Sequence, residues 1–120
     1  MCFRLVVITE RVQGCVGSQL SLKCPARKVI NITAIVLGDT DCFGATCCIK
    51  DNDCTRDANA DHVSDVHSRC DGQSNCTVDV IQEWITCGYL NLPSNNDFER
   101  ITYNCIDDPR SKSSDAMITN

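Results

Sequence analysis

Eleven of the 120 residues are cysteine, and no other feature constrains the fold of this chain as much. Cysteine at about 8–10 per cent of a short chain marks a disulfide scaffold. Disulfides persist in oxidising surroundings, whereas a reducing cytosol would leave eleven thiols open to mispairing unless they held metal. Zinc ligation would call for C-x-x-C pairs, and the sequence has none. The expectation is one small domain, secreted or forming the extracellular part of a membrane protein, in which crosslinks supplement a modest core.

Sixteen acids against eleven bases give a net charge of −5. With no cationic surplus to neutralise phosphates or anionic headgroups, nucleic acid is excluded as a partner, and so is binding to a membrane surface. No apolar run exceeds four residues, as in Leu5-Val6-Val7-Ile8, which falls short of the ~20 residues of a spanning helix and the ~7–15 of a signal-peptide core. No direct membrane insertion is expected. The chain reads as a mature or excised fragment with Met1 as an added start.

Hydrophobic phase sets out the elements. Phe3 to Thr9 is apolar and β-branched, as in a buried strand, and Gln13-Gly14 and Gly17-Ser18 read as turns around Cys15. Leu20, Leu22 and Cys24 alternate with polar neighbours, as a half-buried strand requires. So do Ile30, Ile32 and Ala34, until Gly38 breaks the run. The stretch from Asp39 to Asp61 is poor in large apolar residues and should be an irregular, crosslinked loop. A helix follows, with Val63, Val66 and Cys70 at i, i+3 and i+7, Asp57 and Asp61 at its amino end, Arg69 at its far end and Gly72 as a cap. Cys76, Val78 and Val80 form a further strand, and Ile101, Tyr103 and Cys105 mark the last one. The expected fold is a small disulfide-stapled α+β domain over residues 1–106, with a β-sandwich-like antiparallel core of about five strands and one main helix. Residues 107–120 are polar and read as a tail or linker.

Cysteine spacing is the most specific signal. Cys15-Val16-Gly17-Ser18-Gln19-Leu20-Ser21-Leu22-Lys23-Cys24-Pro25 opens the pattern, and the loop Cys70-Asp71-Gly72-Gln73-Ser74-Asn75-Cys76 with alternating valines follows the helix. Over residues 10–105 this order resembles the rhamnose- or galactose-binding lectin domain of the sea-urchin-egg-lectin (SUEL) type. The resemblance implies four bridges, Cys15–Cys42, Cys24–Cys105, Cys54–Cys87 and Cys70–Cys76. Cys2, Cys47 and Cys48 fall outside that framework. Cys2 is expected to bridge one of the adjacent pair, which leaves one thiol over, and either member of that pair could exchange roles with Cys42.

Lectins of this type bind sugar through a Glu after the first cysteine, an Ala-Asn-Tyr-Gly-Arg loop, and an Asp-Pro-Cys stretch followed by a Lys. The matching positions here are Val16, the run Ile35-Val36-Leu37-Gly38-Asp39, the run Ile85-Thr86-Cys87, and a position near Asp97. Apolar side chains cannot replace hydrogen bonds to sugar hydroxyls, so the inherited rhamnose site is expected to be lost. The resemblance then implies a non-catalytic binding module, a protein-interaction or adhesion domain such as a receptor ectodomain carries. The alternative is a lectin that recognises a cell-surface glycan through altered pocket residues. A lectin needs convergent polar groups near Asp39, Trp84, Asn96 and Asp97, whereas an interaction module needs an exposed apolar patch, for which Val16, Val36 and Leu37 are the candidates. Trp84, the single tryptophan, could stack on a sugar or anchor a protein.

Other chemistry is thin. His62 and His67 lie five apart, on different helix faces and outside the i, i+4 zinc arrangement, and read as surface residues. Asp51, Asp53 and Asp57 approach a calcium run but lack the glycine and glutamate of an EF-hand loop. No nucleophile with a neighbouring base can be assembled, so neither an enzymatic activity nor a cofactor or metal is expected. Two sequons, Asn31-Ile32-Thr33 and Asn75-Cys76-Thr77, are candidate glycosylation sites.

Overall fold

A computed structural model describes residues 8–40, 49, 54–87 and 92–110, without the side chains of 87, 92 and 93. The described residues hold mostly strands and one helix. In chain order these are β1 (Thr9–Cys15), β2 (Gln19–Lys23), β3 (Lys28–Asp39), β4 (Cys54–Asp57), α1 (Ala60–Cys70), β5 (Asn75–Asp79), β6 (Trp84–Cys87), β7 (Leu92–Asn95) and β8 (Phe98–Asp107). Eight strands stand where about five were expected. A four-stranded antiparallel sheet runs β1-β8-β3-β4, and two ribbons, β2–β5 and β6–β7, complete the set.

The core forms where the alternating phases meet. Leu20 and Leu22 of β2, Ile30, Ile32, Ile35 and Leu37 of β3, Val78 of β5, Ile101 and Tyr103 of β8, and Val66 and Cys70 of α1 are buried together. Apolar burial of this kind supplies most of a domain's stabilisation, about 1.5–3 kcal/mol for each large aliphatic side chain. Asn59 caps α1, its Oδ1 accepting from His62 N at 2.8 Å. Gly72, just beyond the helix, sits at φ +81°, a left-handed conformation suited to glycine, and its N–H reaches Ile30 O at 3.0 Å.

Several expectations need correction. Gln13-Gly14 is not a turn, because β1 runs on to Cys15. A Cβ at Gly14 would come within 2.8 Å of Leu20 Cδ2 and Ser18 Oγ, so glycine there permits close approach within the strand. β3 does not break at Gly38. Its register against β8 shifts between Ile32 and Ala34, a bulge that flips the phase so that Ala34 faces solvent while Ile35 and Leu37 enter the core. Gly38 continues the strand opposite Phe98, and a Cβ there would meet the Phe98 ring at 2.1 Å. β4 adds a strand inside the stretch expected to be irregular, pairing with Val36 to Asp39. At the other end β8 reaches Asp107, and Asp108 N donates to Arg27 O at 3.0 Å. Most of the expected strand from Phe3 to Thr9 lies outside the described residues.

Cys24–Cys105 and Cys70–Cys76 are bridged. Cys15 and Cys54 are also disulfide-bonded. Cys2, Cys42, Cys47 and Cys48 lie outside the described residues, as does the side chain of Cys87.

Candidate binding site

The β6–β7 ribbon places Trp84 opposite Asn95 and Ile85 opposite Ser94. Because strand side chains alternate between faces, one face of the ribbon turns inward and the other outward. Ile85 is buried in the core, and Ser94 Oγ donates to Asp39 Oδ2 at 2.9 Å, tying the inner face to the end of β3. Trp84 and Asn95 face solvent, and Trp84 is 72% exposed.

A buried polar network holds the base of this ribbon. The Asn96 side chain is fully buried; its Oδ1 accepts from Glu83 N at 2.6 Å, and its Nδ2 donates to Ile81 O at 2.8 Å and to Phe98 O at 3.3 Å. Asn96 N also donates to Glu83 O at 3.1 Å. Glu83 accepts through its carboxyl from Asn59 Nδ2, which links it to the cap of α1. On the core side, Glu99 Oε1 accepts from Ile81 N at 3.2 Å, and His62 Nε2 lies 2.7 Å from Glu99 Oε2. Trp84 follows Glu83 directly, so its backbone is fixed by both neighbours of the network.

The corner where β3 ends and β8 begins brings together Val16, Gly38, Asp39, Asn96 and Asp97. Val16 N donates to Asp97 O at 2.8 Å, and Asp97 N donates to Gly38 O at 2.7 Å. Asp97 Oδ2 accepts from Thr40 N at 3.0 Å and Thr40 Oγ1 at 2.8 Å. These polar groups bond one another and the backbone, so they do not converge on an open pocket. Trp84 points away from them, on the far face of the ribbon. The expected apolar patch is likewise missing: Leu37 is 0% exposed in the core, Val16 packs against that core, and Val36 is half-buried. Each is held there by the β3 bulge or by the corner hydrogen bonds.

His62 is not a surface residue. Its side chain is 9% exposed and faces Glu99, whose side chain is 0% exposed. The sequence did carry a signal for Glu99: the apolar phase of Ile101, Tyr103 and Cys105, continued backwards, puts position 99 on the core face. Asn59 and Glu83 offered none beyond the suitability of Asn as a helix cap. His67 Nδ1 pairs with Asp71 Oδ2, and Asp71 Oδ1 accepts from Ile32 N at 2.9 Å.

Of the sequon residues, Asn75 is exposed opposite Lys23, whereas Asn31 Nδ2 donates to Asn104 Oδ1 at 3.0 Å within the main sheet. Both sit near the start of β3, and the Trp84 ribbon adjoins its end. A recess of about 210 Å³ lined by Ile8, Glu10, Pro25, Lys28 and Cys105 also lies near the start of β3. It is smaller than the ~300–1,000 Å³ of ordinary small-molecule sites. No helix is long and apolar enough to cross a membrane among the described residues. No protein-family model matches the chain, and no curated protein matches it.

Proposed function

We propose that this chain is a non-catalytic extracellular recognition module, built on a scaffold like that of SUEL-type lectins, which engages a protein partner through Trp84. The Cys24–Cys105 and Cys70–Cys76 bridges, two of the four that the resemblance implies, support the scaffold and an oxidising location. Trp84 carries the functional reading. A large aromatic left 72% exposed on a ribbon anchored by a buried asparagine suits a binding anchor, since the backbone that carries it is ordered before binding. The corner at Asp39, Asn96 and Asp97 favours this reading over a sugar pocket, because its donors and acceptors are engaged internally.

Staining of intact cells with a fluorescent tetramer of the domain tests the proposal. The wild type should stain, protease treatment of the cells should abolish staining, and free rhamnose or galactose should not compete. Trp84→Ala should weaken binding ~30-fold, the effect of losing a ~2 kcal/mol hot spot. Equal staining by Trp84→Ala would refute the role of Trp84, and competition by either sugar would restore the lectin alternative.

A further inference from the structure

The sequons Asn31-Ile32-Thr33 and Asn75-Cys76-Thr77 have no part in the Trp84 reading, and the fold treats them differently. Asn31 lies on β3, an inner strand of the main sheet, and its side chain is half-buried. Its Nδ2 donates to Asn104 Oδ1 at 3.0 Å, and Thr33 Oγ1 donates to Thr102 O at 3.0 Å. Backbone closes in on both edges. β8 pairs with Asn31 on one side, and on the other Ile30 N and Ile32 N donate to Gln73 O at 2.8 Å and Asp71 Oδ1 at 2.9 Å in the turn after α1. Asn75, by contrast, opens β5 of the β2–β5 ribbon. It is exposed, as is Thr77, and neither side chain makes a hydrogen bond among the described residues. Strand alternation puts the two on one face, across from Lys23 and Ser21, and with Gln19 and Asp79 that face is polar and exposed throughout.

From this we infer that the folded protein carries an N-linked glycan on Asn75 and none on Asn31. The inference rests on the extracellular location in the reading above and is independent of Trp84. Nδ2 of Asn75 forms a bond to the anomeric carbon of an oligosaccharide carried on a lipid diphosphate. The bond from that carbon to the phosphate oxygen breaks, the lipid diphosphate leaves, and Nδ2 gives up one proton, with no change of oxidation state. An attached glycan is bulky and hydrated, so its acceptor must project into water in the folded chain. At Asn75 the neighbours on the face are already in water and no contact is displaced. At Asn31 the nitrogen that would carry the sugar is the one that bonds Asn104, so a chain modified there would have to fold without that half-buried pair. The Asn75 glycan closes the face formed by β2 and β5 to a protein partner, on a ribbon separate from the one that carries Trp84.

The test expresses the full chain behind an added secretory leader in cultured animal cells. Glycans and disulfides are mapped in the same product by mass spectrometry, before and after peptide N-glycosidase. Chains that contain the Cys24–Cys105 and Cys70–Cys76 bridges should carry a removable glycan on Asn75 and an unmodified Asn31. Asn75→Gln and Thr77→Ala should each abolish the mobility shift that the glycosidase produces, whereas Thr77→Ser and Asn31→Gln should retain it. Because Asn75 and Thr77 are exposed and free of side-chain hydrogen bonds, both bridges should form in their variants as in the wild type. Bridged chains without a glycan, or with one on Asn31, would overturn the inference and leave the extracellular reading standing. Chains recovered only without those bridges would overturn the reading and the inference together.

Discussion

Replacing His62 with alanine removes the partner that faces a fully buried carboxyl group. Glu99 sits on the core side of β8, opposite Leu37 of β3 and Gly14 of β1, with His62 Nε2 at 2.7 Å and Ile81 N at 3.2 Å as its partners. Breaking a buried pair from one side costs about 3–5 kcal/mol, because the remaining group stays desolvated without compensation. His62 is 9% exposed, so water can enter its place and the lower end, ~3 kcal/mol, is expected. In a domain of this size that loss lowers the thermal midpoint by ~12 °C. Glu99→Gln keeps an acceptor for Ile81 N and should lose only about 1 kcal/mol. The double variant His62→Leu/Glu99→Leu removes both members and leaves only Ile81 N–H unsatisfied, so its loss should be ~1–3 kcal/mol, below the sum of the single leucine variants. Circular-dichroism melts at neutral pH with disulfides intact measure all of these. A loss under ~1 kcal/mol for His62→Ala, or strict additivity in the leucine cycle, would refute the view that the two side chains form one buried unit.

Gly38→Ala should destabilise by ~1–3 kcal/mol or more, measured as a lower denaturation midpoint, since its Cβ would lie 2.1 Å from the Phe98 ring and that ring is fully buried. Cys24→Ala/Cys105→Ala should cost more than Cys70→Ala/Cys76→Ala, about 4.5 against about 2.2 kcal/mol in a chain-entropy treatment, because the bridges span 81 and 6 residues; equal midpoints would show that the long bridge does not restrict the unfolded chain. Asn59→Asp should be worse than Asn59→Ser by about 1 kcal/mol in thermal unfolding, although both residues cap helices, because the aspartate would set a carboxyl group against that of Glu83; the reverse order would show that the Nδ2 bond carries no weight.

Half-buried strands with unbroken alternation were legible. Leu20 and Leu22, Val78 and Val80, and Ile101 and Tyr103 are buried as their phase requires, and α1 begins and ends within a residue or two of its caps. The failures share a local origin. A bulge costs one residue of phase, so Ala34 and Ile35 exchange faces with no change in the composition of β3. Gly14 and Gly38 read as turn or break residues, yet both sit within strands where a neighbouring side chain occupies the space of a Cβ. β6 and β7 are four residues each, and β7 includes Pro93, so neither is long enough for alternation to outweigh a breaker. Each of these depends on what lies across the sheet, which a single chain segment does not encode.

The same reasoning explains why the site was only partly legible. Apolar side chains declare themselves by period, because burial acts on any of them alike. A hydrogen-bonded polar residue is defined by one particular partner, and that partner is distant in sequence: Asn59 and Glu83 are 24 apart, and His62 and Glu99 are 37 apart. Asp39, Asn96 and Asp97 were expected to offer polar groups to a ligand, whereas their amide and carboxyl groups bond Ser94, the backbone and Thr40 and so fix the corner. That inward assignment has a functional consequence. A polar corner that holds itself together has little left to offer a sugar, yet it clamps the residue before Trp84 through both its backbone N–H and its C=O. On the function proposed above, the groups that resemble a degraded pocket would act one step removed from the partner, by fixing the backbone from which Trp84 projects.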